Sequence, residues 1–179
     1  PATPLRPESF PADPATLHAV RAADLVLYPQ TWQVNALHYA LGKRLFPSVA
    51  SQHLGASKVE MTRAFQALVP QHMPETLILP ATESGAREAV ERFGFPFVVK
   101  DPRDSMGRGV HRVEGASALR ALLPSLEVLY AQELLPIDRD LRIVWIGDGV
   151  LCAYWRIGGD GFHTNISRGA SESFEHIPT

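Results

Sequence analysis

Lys100 ends an apolar run, Phe95-Pro-Phe-Val-Val-Lys, and is followed by small and polar residues that include Ser105, Gly107 and Gly109. Glycines let backbone N–H groups converge on an anion, and a lysine beside them supplies a point charge for phosphate. The same residues also read as a solvated lysine at a strand end followed by a plain hairpin loop. The segment is not a P-loop, because no Gly-Lys-Ser/Thr closes it. Nor is it a dinucleotide fingerprint, since its glycines do not open a helix. A second constellation flanks Gly147-Asp148-Gly149, where two apolar runs meet at a hairpin signal. A three-residue loop places Ile146 opposite Val150, Arg142 opposite Tyr154 and Asp140 opposite Arg156. Arg142 and Arg156 then share a face on which an anion could sit. A two-residue loop shifts the register and separates them. An Asp140–Arg156 surface ladder explains the same residues equally well. A third stretch, Phe162 to Ala170, is rich in polar groups and includes His163, Asn165 and Arg168. As a plain loop it needs no special role, and the seven histidines show no metal-ligand spacing.

Elements must position these groups. Five of the fifteen prolines fall in the first 14 residues, which reads as an extended lead-in. A helix is expected near Ala15 to Ala23, then a buried strand from Asp24 to Tyr28, stopped by Pro29. Val34, Leu37, Leu41 and Leu45 recur at helical spacing and predict a helix from Gln33 to Phe46. Tyr28, Trp32 and Tyr39 are expected to pack in a core or an interface. Ser57 and Glu60 have capping-box spacing ahead of a helix running to about Val69. Strands follow at Thr76 to Leu79, Phe95 to Lys100, Val110 to Val113 and Val128 to Leu135, with helices from Ser84 to Phe93 and from Ser117 to Leu123. Gly94 closes the first of those helices. The hairpin strands run from Leu141 to Ile146 and from Val150 to Ile157. Helices alternating with strands and a late hairpin give an α/β or mixed α+β class.

Composition narrows the function. With 45% hydrophobic and 20% charged residues, the 179-residue chain has the balance of a globular protein able to bury a core. A formal net charge of −2 gives no support to nucleic-acid binding. A single cysteine, Cys152, excludes an internal disulfide, fits a reducing compartment and reads as a small buried strand residue. No apolar run approaches the ~20 residues needed to span a bilayer, and no secretory leader is legible at the first residues. The expectation is a cytoplasmic protein without nucleic-acid or membrane partners, with homo-oligomerisation open.

In order and spacing, these pieces resemble the ATP-grasp superfamily, and within it the RimK-like amino-acid ligases. The resemblance rests on Ser57-Lys-Val-Glu-Met-Thr, residues 96–110, Tyr130-Ala-Gln-Glu-Leu-Leu, Asp140 to Val150, and Arg156 through Thr164 to Ala170. It implies an ATP-grasp fold incomplete at its C-terminus. A shortened α/β segment would cover 1–56, a central and lid subdomain 57–131, and the start of a C-terminal subdomain 132–179. Lys58 and Lys100 would hold nucleotide phosphates beneath a mobile loop from Ser105 through Gly107 to Gly109. Gln132, Glu133 and Leu134 would form a hinge whose backbone meets the adenine edge. Asp140 and Arg142 match the family's Asp-x-Arg, and Arg156 an arginine of its next strand. Asn165, Arg168 and Gly169 match the polar loop lining the γ-phosphate and the acyl acceptor.

The implied activity is ATP-dependent carboxylate–amine ligation through an acylphosphate, adding an amino acid such as glutamate to a peptide, protein or small acceptor. The alternatives are a non-catalytic nucleotide-binding module and a structural or interaction α/β domain. The chain departs from the pattern in places. Asp101 and Asp104 bring negative charge into the phosphate loop, with Arg103 and Arg108 to offset it, and Ile157 stands where relatives carry a second arginine. The family's Mg²⁺ ligands, an aspartate and a Glu-x-Asn pair, have no counterpart here, because Asn35 and Asn165 are the only asparagines. The resemblance therefore places the Mg²⁺ ligands in a C-terminal segment beyond this chain, and leaves an apolar sheet side exposed for self-association.

Overall fold

The computed structural model describes residues 4–104, 109–158 and 169–178. Two compact units divide the chain, Pro1–Pro70 and Gln71–Thr179.

In the first unit, α1 (Pro14–Ala22) follows a single 3₁₀ turn at Pro7–Ser9. The Asp13 carboxylate accepts the Thr16 N–H at 2.7 Å, and Pro14 occupies the first helical position, where no amide hydrogen is needed. Strands β1 (Leu25–Leu27) and β2 (Arg44–Phe46) pair in parallel, with Val26 beside Leu45. The chain between them departs from the expected long helix. It winds through a 3₁₀ turn at Thr31–Gln33 and a π-helical turn at Ala36–Ala40, then stops. Gly42 takes a left-handed conformation at φ 63°, and the Lys43 N–H turns back to the Leu37 carbonyl. Leu45 therefore meets the small core of Phe10, Val20 and Leu37 as a strand residue.

β1 is less buried than its apolar run predicts, with Leu25 and Leu27 about half exposed. Tyr28, Trp32 and Tyr39 are all exposed rather than core; Tyr28 stands edge-on to Phe46 and Tyr39 to His38. After α2 (Val49–Gly55) comes α3 (Lys58–Leu68). Ser57 takes the N-cap position, yet its side chain makes no cap bond, so the expected capping box does not form. Glu60 pairs instead with Arg63, one turn along.

The second unit is built on a four-stranded antiparallel sheet in the order β3 (Thr76–Leu79), β6 (Leu129–Gln132), β4 (Phe97–Lys100), β5 (Val110–Val113). Helices α4 (Glu83–Phe93) and α5 (Ala116–Leu122) cover one face. Phe97, Val99, Leu129, Ala131 and Val113 point into them and meet Ala86, Ala89 and Leu119. Val98, on the other face, is buried too, which accounts for a run of strand residues without polar alternation. Gly94 ends α4 at φ 65° as its position predicts.

A second antiparallel sheet joins β7 (Arg139–Ile146), β8 (Gly149–Ile157) and β9 (Ser171–Ser173). Its hairpin corrects the three-residue loop. Gly147 and Asp148 form a two-residue turn, with Ile146 opposite Gly149 and Trp145 opposite Val150. A bulge beside Trp145 then inserts one extra residue in β8, so Arg142 still faces Tyr154 and Asp140 still faces Arg156. Cys152 is exposed, not buried. β9 was not foreseen, since Ser-Glu-Ser carries no apolar alternation. Among the described residues, no helix is long and apolar enough to cross a membrane.

Two outcomes follow. Phe97→Ala removes a wholly buried ring and should cost about 3–5 kcal/mol, read from urea unfolding. The Thr16 hydroxyl, then the Thr16 and Ala15 amides, hold the Asp13 carboxyl below its ordinary range. Its stabilisation is therefore present at neutral pH and lost as the carboxyl protonates. The stability difference between the wild type and Asp13→Ala should shrink as pH falls through the aspartate range, in paired unfolding curves.

Candidate functional site

Alternation along β4 puts Lys100 on the face of the four-stranded sheet away from α4 and α5. Tyr130 lies beside it and Gln132 diagonally across. Its ammonium donates to Gln132 Oε1 at 2.5 Å. Gln132 Nε2 donates to Thr76 Oγ1 at 2.7 Å, and that hydroxyl donates to the Pro74 carbonyl at 2.9 Å. Gln132 and Thr76 are both buried, so this row satisfies polar groups that would otherwise be costly. It also fixes one cation at the point where β4 enters the loop beginning at Asp101. Lysine side chains carry much rotamer freedom, and anchoring one removes entropy a ligand would otherwise have to remove.

The next residue orders the exit from β6. The Glu133 N–H donates to the Glu75 carbonyl at 3.0 Å, and the Glu133 carboxylate accepts the Glu75 N–H at 2.6 Å. The Glu75 carboxylate in turn pairs with Arg92 of α4. Leu134 follows, half-buried. The segment expected to be a hinge is thus tied, through Glu133, to the residue just before β3 by two reciprocal bonds.

Gly109 has a steric reason to be glycine. Its carbonyl accepts the Asp101 N–H at 2.7 Å, drawing the two ends of the 101–109 loop together. A Cβ there would lie 2.6 Å from the Asp101 Cβ and 2.8 Å from that of Asp104. Arg103, expected to offset the loop's acids, directs its guanidinium to Glu127 at 3.2 Å.

On the hairpin sheet, Arg156 Nε and an NH₂ group donate to the two Asp140 oxygens at 2.7 and 2.9 Å. This fork is three-quarters buried, and its bidentate geometry is the strong form of the pair. Arg142 lies on the same face, exposed and opposite Tyr154. Both sequence readings therefore hold together: the arginines share a face, and Asp140 makes a ladder with Arg156. Glu172 of β9 sits opposite Arg156, so two arginines and two acids balance on this face.

Lys58 stands at the first turn of α3, half-buried, in the first compact unit. Ser105, Gly107, Arg108, His163, Asn165 and Arg168 lie outside the described residues. Among the described residues, no group of three or more His, Cys, Asp or Glu side chains could hold a metal ion. They do not fit as a seat for Mg²⁺. Thr76 was missed by sequence reasoning, because its role appears only once β3 pairs with β6 and sets it opposite Gln132.

Residues 61–178 match the family described as the RimK-like ATP-grasp domain. The chain belongs to this family. Among solved structures, this RimK-like chain resembles the RimK domain protein ATP-grasp from Sphaerobacter thermophilus, with TM-score 0.61 and 21% identity over 74% of this chain and 55% of that one. It also resembles N5-carboxyaminoimidazole synthetase from Staphylococcus aureus, solved with ADP. There the TM-score is 0.66 and the identity 13%, over 83% of this chain and 42% of that one. D-alanine–D-alanine ligase from Bacillus anthracis matches with TM-score 0.65 and 13% identity, over 99% of this chain and 60% of that one. No curated protein matches. The chain thus spans about half the length of these structures, and its fold is a partial ATP-grasp fold.

The close approach at Gly109 yields a direct outcome. Gly109→Ala should lower stability by about 1–3 kcal/mol in urea unfolding, because the neighbouring atoms belong to short aspartate stems and not to flexible chain ends.

Proposed function

We propose that this chain supplies much of the nucleotide cleft of an ATP-dependent carboxylate–amine ligase. The observation that carries the reading is Lys100, held by the buried Gln132–Thr76 row at the mouth of a glycine-containing loop. A pre-positioned ammonium at the start of such a loop suits nucleotide phosphates.

In this reading Lys100 and Lys58 hold phosphate oxygens, and the loop through Ser105, Gly107 and Gly109 closes over them. Residues 57–131 act as the central and lid subdomain and 132–179 as the start of the next. Backbone groups of Gln132, Glu133 and Leu134 meet the adenine edge. Arg142, with Asn165 and Arg168, faces the reacting groups, while Asp140 orients Arg156 through their fork. A substrate carboxylate oxygen attacks the γ-phosphorus, the bond to the bridging oxygen breaks, and ADP leaves. An amine then attacks the acyl carbon, loses a proton and expels phosphate. Both steps concentrate negative charge, so fixed cations in a closed cleft lower the barrier. Exclusion of water protects the acylphosphate. Glutamate addition to a peptide, protein or small acceptor, in the cytoplasm, is the substrate class and setting we assign. Mg²⁺ would be held by residues other than those described here.

Calorimetric titration with ATP, with and without Mg²⁺, tests the cleft. The wild type should bind saturably, and Lys100→Met should weaken binding by about tenfold or more, the loss of one charge-assisted contact. Equal affinity in a Lys100→Met protein with unchanged circular dichroism would overturn the assignment of Lys100 to phosphate.

A further inference from the structure

Gln132 and Thr76 are only 6% and 7% exposed, so the contacts of the Gln132 carboxamide are set inside the protein. A carboxamide has two ends of nearly equal shape, one an acceptor and the other a donor. Packing does not choose between them; hydrogen bonds must. The Lys100 ammonium carries three donors and no acceptor, so an amide turned the wrong way sets donor against donor. The bond of 2.5 Å to Lys100 forms only with Oε1 on that side.

The choice is made at the opposite end of the row. The Pro74 carbonyl can only accept, and it takes the Thr76 hydroxyl hydrogen at 2.9 Å. The Thr76 oxygen then offers lone pairs, and accepts from Gln132 Nε2 at 2.7 Å. Oε1 is thereby left facing Lys100. The hydroxyl is itself placed locally. Branching at Cβ restricts its χ1, and its acceptor lies two residues back in the chain. Glu75, between them, is bonded in both directions to Glu133, the neighbour of Gln132.

We propose that Thr76 is a positioning residue for nucleotide binding. By fixing the sense of the Gln132 amide, it holds the Lys100 ammonium where phosphate meets it. The inference rests on the assignment of Lys100 to phosphate, and adds a hydroxyl two strands away that acts through Gln132. Removing that hydroxyl keeps the charge of Lys100 and loses its placement. The effect on binding should therefore be smaller than that of removing the ammonium.

Lysine-selective ¹³C labelling of the whole chain reads the placement directly, because the sequence has three lysines, Lys43, Lys58 and Lys100. The two ε-methylene protons of a held lysine differ in NMR shift, and those of a freely rotating one coincide. Wild-type Lys100 should show two such signals, assigned by their absence in Lys100→Met. Thr76→Val, close in shape, should merge them, and Thr76→Ser, which keeps the hydroxyl, should not. Lys43, whose ammonium donates to the Arg21 and Ala23 carbonyls at 2.6 and 2.9 Å, serves as the unchanged control. In ATP calorimetry, Thr76→Val should weaken binding about fivefold, the cost of ordering one long side chain, and Thr76→Ser should restore it. Combining Thr76→Val with Lys100→Met should bind no more weakly than Lys100→Met alone. Gln132→Met breaks the row from its middle and should reproduce Thr76→Val in both readouts, with folding of every variant checked by circular dichroism.

Merged Lys100 signals in the wild type, or separate ones in folded Thr76→Val and Gln132→Met, would overturn the proposal. So would Thr76→Ser behaving as Thr76→Val, or an ATP affinity that Lys100→Met weakens and Thr76→Val does not. Each of these leaves the phosphate role of Lys100 standing. Unchanged affinity in Lys100→Met, or no ATP binding by the wild type, overturns both.

Discussion

The second unit depends on how the Phe97–Lys100 strand is surrounded. Three consecutive side chains, Phe97, Val98 and Val99, are buried, and the fourth is a cation held by its neighbours. Burial on both faces forces register on β4, because sliding it by one residue would drive Lys100 into the core of Ala89, Leu129 and Leu119. The Gln132–Thr76 row then links three strands with polar groups, where a mismatched partner would be left unsatisfied in a low-dielectric setting. Hydrophobic burial sets the sheet's depth, and this row sets its lateral order.

The same constraint accounts for which parts of the molecule were legible beforehand. Strands β3 to β6 and the helices between them lie close to where periodicity put them, since apolar runs there are bounded by glycine and proline. The segment from Gln33 to Phe46 was misread because Leu41 and Leu45 fit a helical spacing equally well as a helix followed by a strand. What separates the two is Gly42 with positive φ, a backbone state that composition does not reveal. β1 was expected inside, and the aromatic residues Tyr28, Trp32 and Tyr39 in a core or an interface, because a sequence records apolarity, while exposure depends on what packs against it; their exposure rules out the core.

The chemistry was legible unevenly. Lys100, Asp140 and Arg156 could be named from their places on strands, since alternation fixes a face. Their partners could not, because Thr76 stands 56 residues from Gln132 in sequence and only sheet order brings them together. Gly109 shows a use that its spacing did not announce, closing the chain on Asp101 through its carbonyl.

The bulge in β8 carries a consequence for how such a hairpin can change over time. Turn length and bulge act as two parity switches on one strand, and the side-chain face of Arg156 depends only on their combined setting. A two-residue turn with a bulge and a three-residue turn without one are interchangeable from the standpoint of Asp140 and Arg142. Length variation at this tip is therefore silent when it comes in compensating pairs. A single unpaired insertion or deletion would turn Arg156 away from Asp140 and toward the apolar side.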